Sequence, residues 1–345
     1  MAKEVCLTRR GLLGGFAAAG IGAALPGCPA GPSRPAGEEP RGIDPDLAVV
    51  MSDLHVGKAW AEQKFKTDRS YDYINDTVRR LVAEILAMNP LPAHVFCLGD
   101  VSLCFGEERD YEIAKEVLSP LEAAGIRIVM TAGNHDRRVP MAKTLGGWIA
   151  PSPVKGRFAS VTHLPKYDMV LLDSLVEPDP SAEDNGVGRG KCELGEEQSK
   201  WLDSFLAATT RPALVCAHHP AWSLGINKQM VKDPRVCGFM HGHNHSWQDN
   251  ILYSSYARKT MIRMLGIPSM GMDRDIGFAV LRAFDDRIEL MQVERDYYFP
   301  VKTAKDERLP LWDSLIEERH GRRVSFPFDK LARPSSAHTR AEYLV

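Results

Sequence analysis

No imbalance of charge marks this chain: 43 basic residues stand against 45 acidic ones, a formal net of −2 over 345 residues. A protein that grips a nucleic-acid duplex, or adheres generally to membranes, would need a basic excess, so neither partner is expected and any affinity for phosphate has to be local. The seven cysteines, at positions 6, 28, 97, 104, 192, 216 and 237, form no CxxC pair and lack the density of a disulfide-stapled scaffold. Cys97, Cys216 and Cys237 sit inside apolar runs and read as buried thiols. There is no internal repeat. What the chain does have is a 44% hydrophobic content, enough for a real core in one large domain or two ordinary ones.

The first 28 residues read as an address. Arg9 and Arg10 precede a weakly apolar, Gly- and Ala-rich stretch from Gly11 to Leu25, shorter than the about 20 residues a membrane-spanning helix needs. These are the n-region and h-region of an export signal. The arginine pair resembles the signal of the twin-arginine pathway, which exports folded proteins and would suit an enzyme that acquires metal before translocation. Leu25-Pro26-Gly27-Cys28 resembles the bacterial lipobox, with Cys28 as the lipidated residue, although proline is unusual before the glycine. A cleaved soluble product and a retained helix are the alternatives to a lipid anchor. The expected location is therefore outside the cytoplasm, either as a membrane-anchored lipoprotein or as a periplasmic or extracellular protein. The translocation machinery is the implied partner, and the membrane is met only through the signal or lipid. Residues 29–45, rich in proline and glycine, read as a flexible linker.

From Leu47 onward, apolar strand-like runs alternate with helical stretches, the pattern of a layered α/β fold. Helices are expected at 72–88, 109–124 and near 195–208, and strands at 47–51, 95–98, 126–130, 169–172, 213–217 and 236–240. Runs near 262–267, 277–283 and 287–293 suggest a meander. The main domain then spans 46–298, and the weakly patterned residues 299–345 read as a C-terminal extension wrapping it.

Five of those strand-like runs lead into polar clusters. They are Asp53-Leu54-His55, Gly99-Asp100, Gly133-Asn134-His135-Asp136, His218-His219 and Gly242-His243-Asn244-His245. Strand ends at a sheet edge would present these groups to one crevice. Two cations about 3.5–4 Å apart can polarise a phosphoryl oxygen and acidify a water, provided one carboxylate touches both. Mixed Asp, His and Asn donors, with no cysteine among them, suit Mn, Fe, Zn, Co or Ni better than Ca or a thiolate-rich zinc site.

In this order the clusters resemble the signature of the calcineurin-like metallophosphoesterases: D-x-H, G-D, G-N-H-D/E, H and G-H-x-H. The resemblance implies a four-layer α/β/β/α sandwich of two mixed β-sheets flanked by helices, with metals at the strand ends. It implies metal-dependent hydrolysis of a phosphomonoester or phosphodiester at a dinuclear centre of divalent or trivalent transition metals, Mn, Fe or Zn foremost. Carried over residue by residue, it assigns Asp53, His55 and His245 to one metal, and Asn134, His218 and His243 to the other. Asp100 is the bridge and a bridging hydroxide the nucleophile. His135 would lie by the phosphate as catalytic imidazole, and Asp136 would orient His135. Asn134 and His135 would meet the substrate; Arg137, directly after that cluster, is a candidate phosphate contact from its position alone, with a solvated surface charge as the alternative. The tyrosine that binds ferric iron in purple acid phosphatases, three residues after the bridging aspartate, is Leu103 here, which disfavours a purple iron enzyme.

Some choices are not forced by the residues. His218 and His219 would point opposite ways in an extended chain, so one ligand is expected there, and the family pattern favours His218. His241, His243 and His245 would share a face, with His241 read as packed, and His94 and His163 read as structural. Residues 57–73 mix lysines and Arg69 with Trp60, Phe65, Tyr71 and Tyr73, a composition able to stack a base and screen phosphate. Such a loop would favour a phosphodiester or nucleotide substrate, a solvated loop with no substrate role being the alternative. A surface lipoprotein that binds a phosphorylated ligand without turnover is the alternative from another class.

Overall fold

The computed structural model describes residues 42–57, 72–177, 191–253, 260–272, 275–295, 320–329 and 341–344. The twin-arginine segment, Cys28, most of the linker and the basic-aromatic loop after Gly57 lie outside the described residues. In chain order the elements are β1 (Ile43–Met51), α1 (Asp72–Ala87), β2 (Leu91–Cys97), α2 (Glu108–Ala123), β3 (Arg127–Met130), α3 (Arg138–Leu145), β4 (Ser160–His163) and β5 (Asp168–Leu172). They continue with α4 (Gly195–Ala208), β6 (Ala213–Ala217), α5 (Asn227–Lys232), β7 (Val236–His241), β8 (Gln248–Tyr253) and β9 (Met261–Gly266). The last are β10 (Ile276–Ala283), β11 (Arg287–Arg295), β12 (Arg323–Pro327) and β13 (Ala341–Leu344).

Two mixed sheets form, in the orders β12-β11-β10-β1-β2-β3 and β13-β8-β9-β7-β6-β5-β4. Strands β1, β2 and β3 run parallel in the first, and β5, β6, β7 and β9 in the second. Strand alternation explains the layering. Along β1, Ala48 and Val50 turn toward the second sheet and, with Phe96 of β2 and Val129 of β3, pack in one cluster with its Met169, Leu214 and Met240. Leu47, Val49 and Met51 turn the other way, onto Val78, Leu81, Val82 and Ile85 of α1 and Tyr111, Ala114, Leu118 and Leu121 of α2. Those helical residues recur at spacings of three and four, which is the stripe a helix needs to cover a sheet. On the far side of the second sheet, Val170, Leu172 and Val215 pack against Leu202 and Leu206 of α4 and Met230 and Val231 of α5. The result is the expected α/β/β/α order, with strands buried on both faces and therefore written as unbroken apolar runs.

Two expectations need correction. The supposed meander is divided, because β9 belongs to the second sheet whereas β10 and β11 form a hairpin in the first. The crossing between them is pinned beside the first polar cluster: Met270 donates its N–H to the Ser52 carbonyl at 3.1 Å, and Ser269 Oγ donates to the Asp53 carbonyl at 2.6 Å. Nor does a boundary at 298 separate core from wrapping. β12 extends the first sheet beside β11, and its Val324 and Phe326 are buried between the sheets. Phe326 fills the space above Gly238 so closely that a Cβ there would lie 2.2 Å from its ring.

Candidate metal centre

Each polar cluster begins just past the C-terminal end of a parallel strand: Asp53 after β1, Asp100 after β2, Asn134 after β3, His218 after β6 and His243 after β7. Backbone hydrogen bonds stitch these loops together. Asp53 N–H donates to Gly99 O at 2.9 Å, His55 N–H to Asp100 O at 3.0 Å and Gly242 N–H to His218 O at 3.0 Å. The two sheets are joined when His243 N–H donates to the Asp53 carboxylate, 3.1 Å from its nearer oxygen. That approach needs a residue without a side chain just before it, since a Cβ on Gly242 would sit 2.0 Å from Ser52 Oγ and 2.4 Å from Asp53 Oδ2.

The backbone here is strained. Among the described residues, the non-glycine positions with positive φ are Asp53, His55, Asp100, His243 and His245, at 48° to 67°. All five are expected metal ligands. Left-handed backbone costs a side-chain-bearing residue about 1–2 kcal/mol, and such strain persists only where surrounding structure over-determines it, characteristically at functional sites.

The side chains converge in two groups. Donor atoms of Asp53, His55, Asp100 and His245 lie within 4.8 Å of one another, and so do those of His218, His219 and His243. Asp100 Oδ2 stands between the groups, 3.8 Å from His55 Nε2 and 3.1 Å from His218 Nε2. Asn134 Oδ1 is 3.0 Å from the same His218 nitrogen. On the other side, His245 Nε2 is 3.1 Å from Asp53 Oδ1 and 3.0 Å from His55 Nε2.

Whether this set fits a metal pair can be judged from its ring tautomers. His55 Nδ1 lies 3.2 Å from Leu103 O, and His218 Nδ1 lies 3.1 Å from Leu98 O. A carbonyl only accepts, so both rings keep a proton on Nδ1 and turn Nε2 inward as the nitrogen that can give its lone pair to a metal. Ring nitrogens, an amide oxygen and two buried carboxylates aimed at common points call for positive charge between them. The donors fit a pair of borderline metals.

In the metal-free protein, charge within the cluster takes part of the cations' place, and at His218 a second proton occupies the nitrogen that a metal would displace it from. Burial works against ionised Asp53, but the His245 and His218 imidazoles hold its carboxyl well below the usual range. Asp100 is likewise depressed, burial being outweighed by His218 and His135. Burial also opposes charge on His218, yet the adjoining Asp100 lifts it to about 9, whereas burial brings His55 and His243 down to about 4.

The profile of the calcineurin-like phosphoesterases matches residues 48–247, well over half of the chain. The chain belongs to that family. A solved dimetal phosphatase from Danio rerio shares the fold, at 15% identity and a TM-score of 0.50, over 74% of this chain and 96% of that one. A Streptococcus pneumoniae protein described as a predicted phosphoesterase is similar at 14% identity over 74% of this chain and 92% of that one, with a TM-score of 0.31. No curated protein matches the chain.

Several expected roles in this phosphoesterase change with the geometry in view. The Asp136 carboxylate makes no hydrogen bond to the His135 ring. Buried, it accepts the backbone N–H groups of Gly133, Val101 and Ser102 at 2.9 to 3.3 Å and the Tyr111 hydroxyl at 3.2 Å. Asp136 thus ties the Asn134 loop to the Asp100 loop, and burial raises its carboxyl to about 6. His135 is half-buried, its N–H donates to Asp100 Oδ1 at 2.7 Å and its ring meets His55 edge-on at 4.8 Å. Arg137, where substrate contact had been expected, folds its guanidinium back onto the Asp136 carbonyl at 2.6 Å, with its Cβ and Cγ over Gly106. Arg138 is paired with the buried Asp173 at 2.7 Å.

His219 also departs from expectation. The opposite-faces argument needs an extended strand, but β6 stops at Ala217, and both imidazoles turn toward the centre with ring centroids 4.8 Å apart. His219 Nδ1 meets Ser174 Oγ at 2.8 Å. Neither Ser174 nor Asp173 carried a motif; only their place after the 169–172 run could have pointed to them. His241 is packed as expected, its Nδ1 donating to Gly242 O at 2.9 Å and its ring standing against Trp222.

Proposed function

We propose that this phosphoesterase hydrolyses a phosphate ester at a dinuclear centre, with Asp53, His55 and His245 on one cation, Asn134, His218 and His243 on the other, and Asp100 shared. The observation that carries the reading is the Asp100 carboxylate lying between His55 Nε2 and His218 Nε2, within reach of both donor groups. When bound, the metal pair supplies a nucleophilic water of lowered pKa and positive charge against the phosphoryl oxygens. The chain supplies the rest. Leu103 O and Leu98 O fix the ring tautomers of His55 and His218, and Asp136 locks the loops that carry Asp100 and Asn134. His135, half-buried beside His55, is placed to steady phosphoryl charge or to protonate the leaving oxygen.

Within this reading the substrate is a phosphodiester or nucleotide, supported by the basic and aromatic composition of residues 57–73. The chain is exported through its twin-arginine segment and held at a membrane by Cys28. Arg9→Lys with Arg10→Lys should abolish export in fractionated cells, and normal export would reject that assignment.

The chemistry is tested with metal-stripped protein, reloaded with Mn, Fe, Zn, Co or Ni and offered bis-p-nitrophenyl phosphate and p-nitrophenyl phosphate. Turnover should appear only on reloading. Full activity in stripped protein would overturn the reading, and tight phosphate binding without turnover under any metal would favour the binding lipoprotein.

A further inference from the structure

We propose that His219 donates a hydrogen bond from Nε2 to a phosphoryl oxygen of the substrate, and that Ser174 sets the ring tautomer that allows it; this rests on the phosphoesterase reading above. The argument comes from what each histidine meets at Nδ1. His55 and His218 meet carbonyl oxygens, which puts a proton on Nδ1 and makes Nε2 the nitrogen that can bind a metal. His219 meets a hydroxyl instead, Ser174 Oγ at 2.8 Å. That hydroxyl already accepts the His219 backbone N–H at 3.4 Å, and Nδ1 is the only acceptor it meets among the described residues. Ser174 therefore donates to Nδ1, and His219 carries its own proton on Nε2.

The protonated nitrogen is buried and has no partner among the described residues. A buried donor left in that state costs about 1–3 kcal/mol, so an acceptor is called for. The ring sits 4.5 Å, centroid to centroid, from His243, in the half of the centre that also holds His218. A cation would find a proton there rather than a lone pair. A phosphoryl oxygen drawn to that half of the centre would find the donor it needs.

The arrangement is built rather than incidental. Ser174 is fully buried and follows Asp173, whose carboxylate accepts Arg138 Nε and Nη2 at 2.7 and 2.8 Å and the N–H groups of Phe158 and Leu175 at 2.7 and 3.0 Å. Asp173 N–H in turn donates to Gln198 Oε1 at 2.9 Å. Ser174 is a positioning residue, and His219 is the group that touches substrate.

Selective 15N labelling of histidine reads the tautomer with or without metal. His219 should be protonated at Nε2 and His55 and His218 at Nδ1 in the loaded protein; a His219 protonated at Nδ1 overturns the proposal. In metal-loaded His219→Ala and His219→Gln, inorganic phosphate should bind about tenfold more weakly, the loss of one hydrogen bond to a charged acceptor, with metal content unchanged. Loss of a metal, or unaltered phosphate affinity, overturns it. Ser174→Ala should raise KM more than it lowers kcat, and Ser174→Thr, which restores the hydroxyl, should recover most of that loss. Failure of the phosphoesterase reading itself looks different: no turnover with any metal, whatever the tautomer of His219.

Discussion

The space between the sheets and the rim just above it obey opposite rules, although they are built from the same strands. Val50, Phe96, Leu214 and Met240 are apolar, fully buried and in regular strand conformation. A few residues further on, the chain turns to left-handed backbone, buried carboxylates and ring nitrogens facing one another. Among the described residues the left-handed non-glycine positions all lie at the rim, and the regular buried strands that hold it lie below. The difference teaches that the core does not merely stabilise the fold: it holds five strand ends firmly enough for loops to keep conformations they would not choose.

The largest effect should come from removing the shared carboxylate. Asp100→Ala is expected to lower turnover on the order of a thousandfold or more and to empty the centre in elemental analysis, while far-UV circular dichroism stays unchanged. A variant that kept its metals would break the contrast, since the rim would then not depend on its buried charge.

Next comes the reciprocal change in the core. Phe326→Ala should lower unfolding free energy by about 3–5 kcal/mol, read from denaturant midpoints, because a fully buried ring is replaced by a void next to Gly238. Turnover by the folded fraction and metal content should hold. An innocuous Phe326→Ala would show that β12 is an ornament rather than part of the sandwich.

How far the molecule could be read from sequence follows the same division. Strands β1, β2, β3, β6 and β7 were legible because burial on both faces writes them as continuous apolar runs, and the ligand clusters were legible because they follow those runs directly. β12 was not, since Arg323, Ser325 and Pro327 interrupt its two buried residues, Val324 and Phe326. Helix α3 was also missed, having only Met141 and Leu145 to bury and a proline in its first turn. The roles of Asp136 and His219 were beyond reach for a different reason. Each depends on partners about 25 to 45 residues away, Tyr111 and Val101 for one and Ser174 for the other, and on a strand that ends at Ala217 rather than continuing.

A middle-sized effect probes the seam between the two regions. Asp136→Asn keeps the shape of the side chain but turns an amide toward the N–H groups of Gly133, Val101 and Ser102. Metal affinity, measured by chelator competition, should fall about 10–100-fold, as for other residues that hold ligands in place. An effect confined to His135 chemistry, with metal affinity intact, would restore the orienting role first expected of Asp136.

The smallest effect is the most diagnostic, because its sign should reverse between the regions. At His243, with φ at 67°, glycine escapes the clash between Cβ and the following carbonyl, so His243→Gly should be more stable than His243→Ala by about 1 kcal/mol. At Ala279, fully buried in β10, glycine loses a packed methyl and gains only disorder in the unfolded chain. Ala279→Gly should therefore be less stable than the parent by about 1 kcal/mol. Both comparisons are made in chelator, so that lost metal binding does not enter the difference. If glycine were unfavourable at both positions, the left-handed turn at His243 would not be strained, and the rim would be no more costly to hold than the strands beneath it.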